Sequence, residues 1–278
     1  QIVLGKLKPG KASKGTQVTI PTLGTEGVKL GPQEAHSFVV ATEDGTLKYL
    51  PDGAPGGGST SDNLTCMEDG TNAVCYGPGA NATGQNTTAI GAGATAATSS
   101  SSTDFGATAL GANANASGNN STALGRKAKA SGNNSTAIGR SAIASAETSK
   151  AIGHLATASG NFSSALGASA KASGTNSMAL GSFANASGSY STAFGRSAAS
   201  SGNSSMALGN SAVASGNFST ALGTNANASV KYAAALGYNA TASGTYSQAS
   251  GFQANASGDF SQASGIQANA SGFSSTAL

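Results

Sequence analysis

Few side chains of this sequence can run a reaction or hold a metal, and they are scattered. The two histidines, His36 and His154, lie far apart. Eight of the eleven acidic residues precede position 70, and only Asp104, Glu147 and Asp259 follow. A polysaccharide-cleaving solenoid needs catalytic residues clustered on one face, and calcium-binding β-rolls carry Asp in every turn. Neither pattern is present. Cys66 and Cys75 are the only cysteines. Two thiols are too few for a metal site, and the spacing is not the C-x-x-C of a redox pair. In an oxidising compartment a Cys66–Cys75 disulfide is expected. No P-loop occurs. The net charge of +3 comes without a basic patch interleaved with aromatics, so nucleic acid is not an expected partner. No catalytic residue, metal ligand or cofactor is expected, and the chain reads as non-enzymatic.

What the chain has instead is a period. Gly111, Gly118, Gly125, Gly132 and Gly139 open a seven-residue glycine series that runs to Gly272, interrupted only at Ala146 and Val230. A 14-residue unit overlies it, as in Ser121-Thr-Ala-Leu-Gly-Arg-Lys-Ala-Lys-Ala-Ser-Gly-Asn-Asn134. A fixed short period means one structural unit stacked many times. A coiled coil is excluded, because each helical Gly costs about 1 kcal/mol relative to Ala. Collagen needs Gly at every third residue. The remaining architecture is an all-β parallel β-solenoid, a β-roll with two short strands and two turns per 14-residue coil. Twelve coils over about 109–278 give a rod section of roughly 55–60 Å.

Strand alternation assigns the faces. Ala123 and its equivalents every 14 residues stack in the coil interior, as do Ala128 and Ala130, while Lys127 and Lys129 face solvent. The opposite parity of the first strand carries Leu110, Leu124, Ile138, Ile152, Leu166, Leu180, Phe194, Leu208, Leu222 and Leu236. These cannot share the interior with the alanines, so they form an apolar stripe outside the coil. A contiguous exposed stripe marks an interface, and self-association is the simplest way to bury it. Where Ser250 and Ser264 replace the expected Leu, Phe252 and Ile266 lie two residues on. The two-residue rule keeps them on the same face.

The text Ala-Leu/Ile-Gly-x-x-Ala-x-Ala-Ser-Gly-x-x-Ser closely resembles the YadA-like head repeat of trimeric autotransporter adhesins, over about 109–278 and more loosely 77–108. The resemblance implies a left-handed roll, trimerised along its length, on an extracellular or cell-surface fibre. The residues themselves give the solenoid and the self-association, not the handedness or the number three. On this reading the chain is a structural subunit of an extracellular fibre or appendage. The alternative is a ligand-binding adhesin head that takes a host matrix protein or glycan. Direct membrane insertion is not expected, since no stretch approaches 18 apolar residues.

Residues 1–52 read as a small β-rich module, with Ser37–Ala41 and Thr46–Leu50 joined by a Glu43-Asp44-Gly45 hairpin signal. Residues 53–76 read as a Gly-rich linker and Cys loop, and 77–278 as the solenoid. If Leu278 ends the native chain, its uncapped edge is expected to pair with residues 1–52 of the next subunit, giving a head-to-tail polymer. N-x-S/T sequons recur at Asn63, Asn81, Asn86, Asn115, Asn161, Asn185, Asn203, Asn217, Asn227, Asn239, Asn255 and Asn269, and in the Asn119-Asn120 and Asn133-Asn134 pairs. They are candidate glycosylation sites. A fixed Ser position also generates sequons wherever a turn Asn precedes it.

Overall fold

A computed structural model describes residues 38–41, 47–50, 73–98 and 106–278. Among these, Phe38–Ala41 and Leu47–Leu50 pair antiparallel, with Phe38 opposite Leu50 and Ala41 opposite Leu47. His36, Asn63, Cys66 and Asp104 lie outside the described residues.

From Val74 onward the described residues form a parallel β-solenoid. Fifteen strands, from Val74–Tyr76 to Thr276–Ala277, form a first sheet, and fourteen, from Asn81–Thr83 to Asn269–Ala270, form a second. Each strand pairs with its equivalent one coil away, as Ala123 does with Ala137 and Lys129 with Ile143. The pairing step is 14 residues everywhere except one coil, where Thr88 faces Thr108 across 20.

Small side chains make this narrow coil possible. The alanine columns expected inside are inside: Ala123, Ala128, Ala130 and their equivalents from Ala137 to Ala242 are fully buried. A buried column of serines from Ser121 to Ser261, with Ala233 in one coil, leads into the first-sheet strands. In some coils its hydroxyl ties the turn, as when Ser149 Oγ donates to the Ala146 carbonyl at 2.7 Å and Ser205 Oγ to that of Gly202 at 2.7 Å.

The two corners of each coil use glycine differently. In the first corner, after the first-sheet strand, Gly125 and its equivalents have φ near +130°, a region closed to most L side chains. In the second corner, Gly132 and its equivalents from Gly118 onward carry no such φ. A Cβ there would instead meet the carbonyl of the next coil, 1.9 Å away at Gly132.

Two residues after each corner position comes a feature that the sequence did not announce. Every seventh residue from Asn113 to Ser274 is left-handed, with φ between 51° and 60°. Leu155, Phe162, Phe183, Tyr190, Phe218, Tyr232, Tyr246 and Phe260 are among them. Each such residue costs about 1–2 kcal/mol of backbone strain. A rung-to-rung hydrogen bond offsets it: the Lys127 amide donates to the Ala112 carbonyl at 2.9 Å, and that of Asn134 to Asn119 at 2.7 Å. Aromatic stacking adds to this at one corner. Phe218, Tyr232, Tyr246 and Phe260 stack in series with ring centroids 5.2, 4.5 and 5.2 Å apart.

Candidate interaction surface

The side chains that could do chemistry are not brought together. Among the described residues no three His, Cys, Asp or Glu side chains lie close enough to hold a metal ion. Likewise no helix there is long and apolar enough to cross a membrane. His154 sits on the first corner in the column of Arg126 and Arg140, with its Nε2 2.6 Å from Arg140 Nη2. Both side chains are exposed. Cys75 occupies an interior position of the first strand, in register with Ala89, and is not a free thiol.

The structure does build one continuous surface. Because the alanines point inward, the same strands turn their other face out. Leu110, Leu124, Ile138, Ile152, Leu166, Leu180, Phe194, Leu208, Leu222 and Leu236 align in register, one per coil. Leu124 is 38% exposed, Leu222 48% and Phe194 50%, while Ile138, Leu166, Leu180, Leu208 and Leu236 are half-buried by their neighbours. Phe194, Leu208 and Leu222 line a shallow groove with the adjoining glycines. A second column on the same face carries Thr136, Lys150, Ser164, Met178, Thr192 and Met206. The stripe also extends further toward the N-terminus than the sequence reading placed it. Tyr76 and Ile90 are in register with Leu110. The text Ala89-Ile90-Gly91 carried that signal, but the 20-residue coil hid it from a strict 14-residue count.

Phe252 and Ile266 do not stay on the strand face. Their strands end at Ser250 and Ser264. Gly251 and Gly265, with φ of 138° and 130°, then turn the chain into the first corner. The two-residue rule holds only within a strand, and each glycine lies between the strand end and the next side chain. Phe252 stacks on Tyr238 at that corner, 5.2 Å away and 8° from parallel. On the strand face itself the last two full coils are polar, with Gln248, Ser250, Gln262 and Ser264.

The sequon asparagines divide by what they hold. Asn217 Oδ1 accepts the Asn203 amide one coil earlier at 2.9 Å, and Asn133 Oδ1 that of Asn119 at 3.2 Å. Asn120 Nδ2 donates to Asn134 Oδ1 at 3.3 Å, and Asn255 Nδ2 to Asn269 Oδ1 at 3.3 Å. Asn81 and Asn115 each bury their Oδ1. Asn161 and Asn185 are exposed.

A two-sheet solenoid with an outward apolar stripe from Tyr76 to Leu236 defines a structural repeat protein. The family model of the YadA head domain repeat (two copies) matches residues 69–101, 105–170, 172–198, 200–226 and 228–247, some stretches overlapping. The chain belongs to this family, and the same architecture continues to residue 277. No curated protein sequence matches the chain. YadA heads are parts of adhesin-like surface proteins of the trimeric autotransporter type, which places this chain among structural adhesins.

Proposed function

We propose that this chain forms the head of a homotrimeric surface adhesin, in which the column from Tyr76 to Leu236 packs around a threefold axis on the outside of a cell. The observation that carries this reading is the column itself, unbroken across the coils and exposed on a single chain. A contiguous apolar strip of this length is rare on a monomer. Burying the open half of one Leu gains roughly 1 kcal/mol per coil. Lys150 fits the same reading, because its stem covers apolar surface while its ammonium reaches solvent between subunits. Nothing in the reading calls for catalysis; the rod displays its corners and second sheet to a host matrix component. Sedimentation equilibrium of the purified protein is expected to give the mass of three chains. A monomer at micromolar concentration would overturn it. A head-to-tail thread is the alternative arrangement, and continuous threads in negative-stain images of native material would favour it.

Cys66 is proposed as the partner of Cys75. The bridge would pin the segment before Val74 to the open first coil, where Cys75 replaces an interior alanine. Intact mass with and without reductant should differ by two hydrogens. Two alkylatable thiols in native material would refute the bridge. Exposed Asn161 and Asn185 are the sequons proposed as most open to glycosylation.

A further inference from the structure

Charge on the solenoid is concentrated in one place. Of the eight cations after residue 70, six fall between Arg126 and Lys171, and the only acid in that stretch is Glu147. The rung register gathers four of them. Arg126 and Lys127 sit in the first corner of one coil, and Lys129 follows at the start of its second-sheet strand. Arg140 occupies the Arg126 position one coil on, and His154 continues the column. Consecutive coils are about 4.8 Å apart. The four cations are all exposed. Glu147 is in the second corner, next to Ala146. The like charges therefore stand side by side, held by the backbone ladder, without an acid to neutralise them.

We infer that this basic corner binds a linear sulfated polysaccharide laid along the rod. A row of fixed cations at rung spacing complements a chain that carries sulfates at every sugar or two, and guanidinium forks suit sulfate as they suit phosphate. Single-stranded nucleic acid would use aromatic platforms. The corner from Arg126 to Leu155 has none: its residues are Arg126, Lys127, Arg140, Ser141, His154 and Leu155. Trimerisation would triple the row and raise avidity. The inference deepens the adhesin reading by naming a ligand class. Its test compares variants at the same sedimentation mass, so a loss of binding is told apart from a loss of assembly.

The replacements R126S, K127S, K129T and R140S each use a residue that another coil carries at the same position: Ser182, Ser141, Thr157 and Ser182. Folding is therefore expected to survive, and circular dichroism checks it. On immobilised heparin the wild-type protein should be retained at 0.15 M salt, on the order of a Debye length of 8 Å, and be released by a salt gradient. The fourfold variant should lose at least about tenfold in affinity, about 1.4 kcal/mol. The control K171S/R196S, which removes two cations outside the row, should lose less than about threefold. Equal retention of the fourfold variant would overturn the inference, and so would an equal loss in the control. Competition by a single-stranded oligonucleotide as strong as by heparin, or equal binding to phosphatidylserine vesicles, would assign the corner to nucleic acid or to membrane instead.

Discussion

Replacing Leu166 and Leu180 together by aspartate is expected to take the rod apart. Both lie in the outward column of the first sheet, in direct register. Each is half-buried on the single chain. Around a threefold axis the double variant would bring six carboxylates together with no cation of the same coils on that face; the second column there carries Ser164 and Met178. An unpaired buried charge costs several kcal/mol. The apolar gain of two coils, about 1 kcal/mol each per chain, is lost as well. Sedimentation should therefore show single chains or aggregate, and melting should fall by tens of degrees. The matched control is Val213→Asp. Val213 is 36% exposed on a strand of the second sheet, facing away from the stripe. It should leave mass and melting nearly unchanged. If the double variant stays assembled with unchanged melting, the stripe is not the interface. If V213D dissociates equally, the rod is held by a different face.

The parts of this fold that follow from period 2 were legible. Ala123 and Leu124 are adjacent and must face opposite ways, and the structure places one inside and the other out. The 14-residue repeat fixed the pairing partner of nearly every strand. The corners were less legible. The left-handed position two residues after each glycine is filled by Asn, Ser and Lys, but also by Leu155, Phe162 and Tyr190. Residue type therefore carries no signal there. What imposes the conformation is the hydrogen bond from that amide to the coil before it, a contact 15 residues away in sequence, as from Lys127 to Ala112. Phe252 was misplaced for a related reason, since alternation stops where Gly251 turns the chain. Only part of the basic corner, Arg126, Lys127 and Lys129, is continuous in the sequence. Arg126 and Arg140 are 14 residues apart, and only the rung register makes them neighbours.

Gly195→Ala should be far more damaging than Gly174→Ala, although the two glycines look alike in the seven-residue series. At Gly174 the backbone is of the ordinary kind, and the obstacle is contact alone: a Cβ would meet the Gly188 carbonyl oxygen at 1.9 Å. The chain itself shows how that is relieved. At the equivalent positions, Gly132, Gly160, Gly174 and Gly188 donate an amide to the next coil at 3.4 Å, whereas Ala146 and Val230 do not. Beside Val230 the neighbouring bond, from the Ser229 amide to Ala242, is stretched to 3.2 Å, against 2.9 Å for Ser173 to Ala186. Beside Ala146 the same bond is 3.0 Å, no longer than beside several glycines, so an alanine there gives up one long hydrogen bond. The loss is about 0.5–1.5 kcal/mol, partly offset because Ala restricts the unfolded chain. Gly195 is different on both counts. Its φ is 137°, and its Cβ would meet the Gly209 carbonyl oxygen at 2.2 Å. Giving up a hydrogen bond does not cure the φ, and every equivalent from Gly77 to Gly265 is glycine. Strain and overpacking together are expected to cost about 2–6 kcal/mol per chain. Because each coil touches only its neighbours, hydrogen exchange should accelerate in the coils on either side of Gly195. Denaturant midpoints should fall sharply for G195A and by little for G174A. Equal midpoints for the two variants would show that close approach, rather than the backbone angle, sets the glycine requirement at both corners.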